Sequence, residues 1–237
     1  MIYQKTNWKI LILLLLFNQN LLAQLTIDEI IDKHLNTIGL KADKQRVNSF
    51  EISGSFVQNK FKLPIKMWGI LPNLLRMNMI FNGIDFVKVS NENIDWELNP
   101  MKDTLMVKEG KENEATNFYL RWTGGLTEYI KGRISGELLG TSVVEDIEVY
   151  KLKIKKGDKY RIYYIDKLSY LLLRVDDDDK EVKKTTYYSD YRNVDGYLFA
   201  HRMEGFEFGK LVIIMEFETI KVNAPVDKKL FKVPEKE

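Results

Sequence analysis

The chain has 237 residues, 36 basic against 34 acidic side chains, two histidines and no cysteine. This composition excludes a disulfide framework, a thiolate nucleophile and a thiolate metal site, and the near balance of charge leaves no basic footprint for nucleic acid. The small basic excess lies in Lys5 and Lys9, ahead of an unbroken apolar run from Ile10 to Phe17 and the small residue ending Leu21-Leu22-Ala23. That run of eight residues is far below the ~20 needed to span a bilayer. A cleaved secretory peptide over residues 1–23 is therefore expected, the alternative being an uncleaved N-terminal anchor. With no cysteine to receive lipid, the remainder, residues 24–237, is expected to be one soluble extracytoplasmic domain without an anchor.

The first element predicted is a helix. Thr26 and Glu29 have the spacing of a reciprocal cap, Ile27, Ile30, Ile31, Leu35 and Ile38 fall on one face, and Gly39 stands where the helix should end. Strands follow at Asn48 to Val57, Leu63 to Ile70, Leu74 to Phe81, Ile84 to Val89 and Ile94 to Leu98. They are parted by Leu71-Pro72-Asn73, Asn82-Gly83 and Asn91-Glu92-Asn93, and connections this short allow only antiparallel neighbours. Phe118, Trp122, Leu126 and Ile130 then recur every fourth position, which predicts a helical segment jointed at Gly124-Gly125. Seven further strands are expected, at Glu137 to Thr141, Ile147 to Lys156, Tyr160 to Asp166, Ser169 to Val175, Val182 to Arg192, Tyr197 to Phe208 and Leu211 to Val222. The whole reads as a mainly β (α+β) protein: a single strongly curved antiparallel sheet of about twelve strands around two helical inserts.

Strand Leu74 to Phe81 alternates, with Leu75, Met77, Met79 and Phe81 on one face, Arg76 and Asn78 on the other, and Met67 joining the apolar side from the preceding strand. Methionine is unbranched and polarizable, suited to varied apolar partners. Two readings stand: the methionines fill a core, or they line a cavity that two short helical inserts are too few to fill. Trp68, Trp96, Trp122 and the tyrosines at 119, 163, 164, 187, 188 and 191 fit either the mouth of such a cavity or edge packing.

Little in the chain points to catalysis. His34 lies beside the first helix's apolar stripe and reads as a capping or partly buried side chain, while His201 is expected to face solvent or a cross-strand acid. No nucleophile elbow, phosphate loop or zinc-protease spacing occurs. Asp176 to Asp179 lacks the alternating pattern and glycine of a calcium loop and reads as a solvated turn. No enzyme, cofactor or metal is expected; a carboxylate pair acting on an envelope glycan or lipid is the catalytic alternative.

A series of phrases in order resembles the LolA/LolB-like outer-membrane lipoprotein-sorting proteins. They are Thr37-Ile38-Gly39; Leu71-Pro72-Asn73-Leu74-Leu75-Arg76; Asn82-Gly83; Trp96-Glu97-Leu98-Asn99-Pro100; Gly140-Thr141 with Tyr150-Lys151-Leu152; and Tyr163-Tyr164-Ile165-Asp166-Lys167. Ser189 to Gly196 and Leu230-Phe231-Lys232-Val233-Pro234 complete the likeness over about residues 25–234. The chain departs from the family at Ala200-His201 and at Asn91-Glu92-Asn93.

The resemblance implies a half-closed barrel round a helical lid, a hydrophobic cavity for acyl chains and no catalytic residues. The lid would be Phe118 to Ile130 and the cavity the methionine-rich face. The ligand-binding set expected is Met67, Leu75, Met77, Met79, Phe81, Trp96, Phe118, Trp122, Leu126 and Ile130. The function expected is a monomeric periplasmic carrier of lipid or lipoprotein acyl chains, with envelope membrane proteins as further partners. The alternative is a non-catalytic sensor or scaffold of the same fold that binds a protein.

Overall fold

The computed structural model describes residues 25–41, 46–58, 61–92, 94–110, 113–178 and 183–234. Residues 1–23, read as a secretory peptide, lie outside the described residues, as do Asn93, Asp179, Lys180 and Val182. The first helix, α1 (Ile27–Thr37), forms as its cap dictates. The Thr26 hydroxyl accepts the Glu29 N–H at 3.3 Å and the Glu29 carboxylate accepts the Thr26 N–H at 2.8 Å, so two N–H groups without helical partners are satisfied reciprocally. Its apolar face buries Ile30, Ile31 and Leu35.

Strands β1 (Ser49–Gln58), β2 (Phe61–Ile70), β3 (Leu74–Phe81), β4 (Ile84–Ser90), β5 (Ile94–Asn99) and β6 (Thr104–Glu109) form one meander. A second comprises β7 (Ser135–Val144), β8 (Ile147–Lys156), β9 (Lys159–Asp166), β10 (Leu172–Asp178), β11 (Lys183–Val194), β12 (Tyr197–Glu207) and β13 (Lys210–Val222). The meanders join where β1 pairs with β13, giving one antiparallel sheet of 13 strands whose edges, β6 and β7, do not meet. The expectation of about twelve strands omitted β6. Of its six residues only Leu105 is even partly buried, so neither face carries a hydrophobic period, and backbone pairing with β5 alone builds the strand.

The junction between the meanders has one exacting position. Register slips between Ser53 and Gly54, and a Cβ at Gly54 would lie 2.0 Å from the Glu216 carbonyl oxygen. Gly54→Val is expected to lower stability by about 1–3 kcal/mol, read as a fall in the urea midpoint. An unchanged midpoint would mean that the junction yields without cost.

Register assigns each side chain to a face. The row Ile220, Ile52, Met67, Met77 crosses β13, β1, β2 and β3 on the inner face, where the helices pack. The row Glu51, Trp68, Arg76, Val89, Trp96 lies on the opposite face. There the C-terminal turn Lys228–Phe231 covers β3 to β5. The Trp96 indole N–H donates to the Phe231 carbonyl at 3.2 Å and Arg76 donates to the Leu230 carbonyl at 2.6 Å.

His201 is buried and so does not face solvent, but it does interact with an acid of the neighbouring strand, Asp190 of β11, and its Nδ1 lies 3.0 Å from the Phe199 carbonyl oxygen. The acidic run is not simply a solvated turn, because β10 extends through Asp176 and Asp177. Asp176 accepts two hydrogen bonds of 2.7 Å from Arg174, one from Tyr164 at 3.0 Å and one from Thr185 at 2.9 Å. Partnered in this way, a carboxylate tolerates partial burial, which a bare count of acids does not reveal. Strand β10 also starts at Leu172 rather than Ser169, since the Asp166 side chain folds Leu168 and Ser169 into a tight turn.

Candidate functional site

The inner face is covered in two portions. Helix α1, with Leu126, lies on Leu152, Ile154, Tyr163, Ile165 and Leu172 of the second meander. Helix α2 (Glu114–Trp122) covers β1, β2, β12 and β13, inserting Phe118, Tyr119 and Trp122 among Phe50, Ile52, Met67, Phe199 and Phe217. Ala115, Phe118, Tyr119 and Trp122 are its buried residues, the spacing of one helical face. Gly124 and Gly125, at φ +78° and +75°, end α2 and lead into the single turn α3 (Thr127–Ile130). A joint at these glycines is what the sequence predicts, because both adopt the left-handed conformation open to glycine.

Trp122 anchors α2. Its ring stacks on Phe199 with centroids 4.2 Å apart, its N–H donates to the Ala200 carbonyl at 3.1 Å, and Phe50, Phe118 and Phe217 surround it. Polar ties at the helix ends are few. The Thr116 N–H donates to the Pro72 carbonyl at 2.9 Å, the Asn113 N–H to the Asn73 side chain at 3.0 Å, and the Tyr188 hydroxyl to the Arg121 carbonyl at 2.9 Å. Burial raises the pKa of the Tyr119, Tyr163 and Tyr188 hydroxyls, so they stay neutral rather than acting as acids or bases.

The structure brings only part of the expected ligand-binding set together. Met67 is fully buried beneath α2, with Phe118 and Trp122 in the same cluster, while Leu75, Met77 and Met79 are half-buried at its margin. Phe81 ends the strip, edge-on to Phe61 with centroids 6.1 Å apart, and Phe61 is 59% exposed. Trp96 is not with them: it faces the other side of the sheet under the C-terminal turn. Leu126 is buried against α1, and Ile130, the last residue of α3, is 42% exposed.

Sequence reasoning missed Met203 and Met215, which pair directly across β12 and β13 and extend the same apolar surface. Five of the eight methionines thus lie on this face. The alternation of β13, where Ile213, Met215 and Phe217 share a side, was the available signal.

A half-open cavity of about 490 Å³ lies on the other flank of α2, between it and β8 to β10. Leu120, Ile134, Ile154 and Tyr163 supply apolar walls, and Arg121, Lys156, Lys159 and Arg161 supply cations. Among the described residues, no group of three or more His, Asp or Glu side chains is arranged to hold a metal ion. No helix of the described residues is long and apolar enough to cross a membrane.

An open antiparallel sheet holding helices against one apolar face is a LolA-like fold, and solved structures bear this out. The chain is similar to a DUF1329 family protein from Desulfovibrio piger, with a TM-score of 0.56 and 13% identity over 88% of this chain and 98% of that one. It is similar to a LolA superfamily protein from Nitrosomonas europaea, at 0.56 and 11% over 89% and 99%. A domain from Vibrio parahaemolyticus named for outer-membrane lipoprotein sorting gives 0.54 and 12% over 85% and 95%. At such identities the likeness establishes the fold and nothing finer. No protein-family model and no curated protein matches the chain.

Proposed function

We propose that this protein is a periplasmic carrier that takes acyl chains of lipids or lipoproteins onto the inner face of its sheet, with α2 as a displaceable cover. The observation that carries this reading is the half-buried strip of Leu75, Met77, Met79 and Phe81 bordering the aromatic plug of α2. Soft apolar surface is left partly open on the face where the helix packs.

Energetics favour an exchange between helix and ligand. Burying an acyl chain is worth ~0.8 kcal/mol per methylene, on the order of 10 kcal/mol for a fatty chain. The three large side chains of α2 gain roughly 1.5–3 kcal/mol each on burial, of the same order in sum. Swapping one for the other is near balance, as reversible loading requires. A charge placed on the strip should disturb it directly: Met77→Asp is expected to weaken binding of a fluorescent fatty-acid analogue at least tenfold, since the carboxylate must be desolvated by the chain. Unchanged affinity in a folded Met77→Asp protein would remove the strip from the site.

The close packing of Trp122 favours a second reading, in which the inner face is only a core and the protein senses or scaffolds an envelope partner. Under that reading Met77→Trp leaves the partnership intact. Under the carrier reading the bulky indole blocks the ligand.

A further inference from the structure

We infer that the cavity between α2 and strands β8 to β10 is a head-group site for a single-chain anionic amphiphile, a hydrocarbon chain ending in a carboxylate or a phosphate. This rests on the carrier reading and narrows its cargo. The α2 helix is a wall of both regions: its Phe118, Tyr119 and Trp122 face the methionine strip's cluster, and its Leu120 and Arg121 face the cavity. The cavity is therefore, with the strip, a part of the inner face that is open while α2 stays in place.

Its lining has the chemistry of an amphiphile. Strand β8 places Leu152, Ile154 and Lys156 on the inner face in alternation, so an apolar row ends in a cation at the β8–β9 hairpin. Lys159 and Arg161 stand across from Lys156 and Ile154 on β9, and Arg121 closes the opposite side from α2. Three acids also line the cavity. Asp177 pairs with Arg161 inside the lining at 2.9 Å, so those two charges cancel, while Glu128 is held by Lys131 at 3.2 Å and Arg133 at 3.1 Å, cations outside the lining. Against Arg121 and Lys156 this leaves Glu114, whose carboxylate lies 3.5 Å from the Asn117 side-chain amide.

An anion set among these groups gains charge-assisted hydrogen bonds while its chain lies on Leu120, Ile134, Ile154 and Tyr163. A volume of about 490 Å³ is in the range of small-ligand pockets, ~300–1,000 Å³. It suits one chain, not the several of a bulky lipid.

Titrating the full chain with dodecanoate, dodecyl phosphate, 1-dodecanol and inorganic phosphate tests the inference. Dodecanoate and dodecyl phosphate are expected to bind at least tenfold more tightly than dodecanol, and the double variant R121Q/K156Q to lose that preference while keeping dodecanol affinity. Both side chains are exposed, so the variant should fold. The stronger of the two anions identifies the head group. Equal binding of dodecanol and the anions, or an unaltered preference in R121Q/K156Q, overturns the head-group site and leaves the carrier reading standing. Tight binding of inorganic phosphate alone overturns the amphiphile in favour of a plain anion site, and if no probe binds, the carrier reading falls together with the inference.

Discussion

Trp122→Ala is expected to lower the stability of the protein by about 3–5 kcal/mol, the largest effect of any single truncation on α2. The indole is buried, stacked 4.2 Å from Phe199, and its N–H donates to the Ala200 carbonyl. Its removal opens a cavity and leaves a carbonyl without its donor. The same truncation bears on function. With the anchor gone, α2 is held by Ala115, Phe118, Tyr119 and the ties to Pro72, Asn73 and Tyr188, so a fatty-acid analogue should enter faster by stopped-flow fluorescence. A loss of under 1 kcal/mol in urea unfolding would show that the aromatic plug is not what seats the helix.

The second large effect is a dependence on pH. His34 is buried on α1 with Nδ1 2.8 Å from the Tyr170 carbonyl oxygen and Nε2 without a partner, and burial lowers its pKa from 6.5 to about 4. The unfolded chain protonates this ring near its ordinary value, whereas the folded chain resists. Between the two values the unfolded state binds the extra proton, so stability is fully present above the unfolded pKa and is lost as pH falls towards the folded one. The loss amounts to about 3 kcal/mol over that window. Urea unfolding of wild type and His34→Leu at a series of pH values separates this from the titration of carboxylates. The difference between the two proteins should change across the window, and a constant difference would contradict a neutral buried imidazole.

What the sequence conveyed and what it withheld divide along physical lines. Local chemistry was legible: the Thr26 and Glu29 cap, the alternation of Leu75, Met77, Met79 and Phe81, and the Gly124-Gly125 joint each act within a few residues, and each appears where expected. Quantities set by pairing were not. Trp96 shares a face with Arg76 and Val89 only because register is kept across three strands, and one residue of slip would have put it beside Met77. Asp176 was misjudged because its burial depends on partners contributed by other segments, Tyr164 and Thr185. The cavity's cations come from α2, β8 and β9, and nothing linear joins Arg121 to Lys156 and Arg161.

Helical cover is the first helix and the jointed second segment that the sequence predicts, and it leaves a strip and a cavity on either flank of α2. Whether foreign hydrocarbon occupies the inner face can be read by native mass spectrometry of the full chain purified from cells without added detergent. A bound species carrying one acyl chain is expected, released on denaturation and reduced in Met77→Asp. A protein that emerges free of lipid, and that also ignores fluorescent fatty-acid analogues, would contradict the carrier reading.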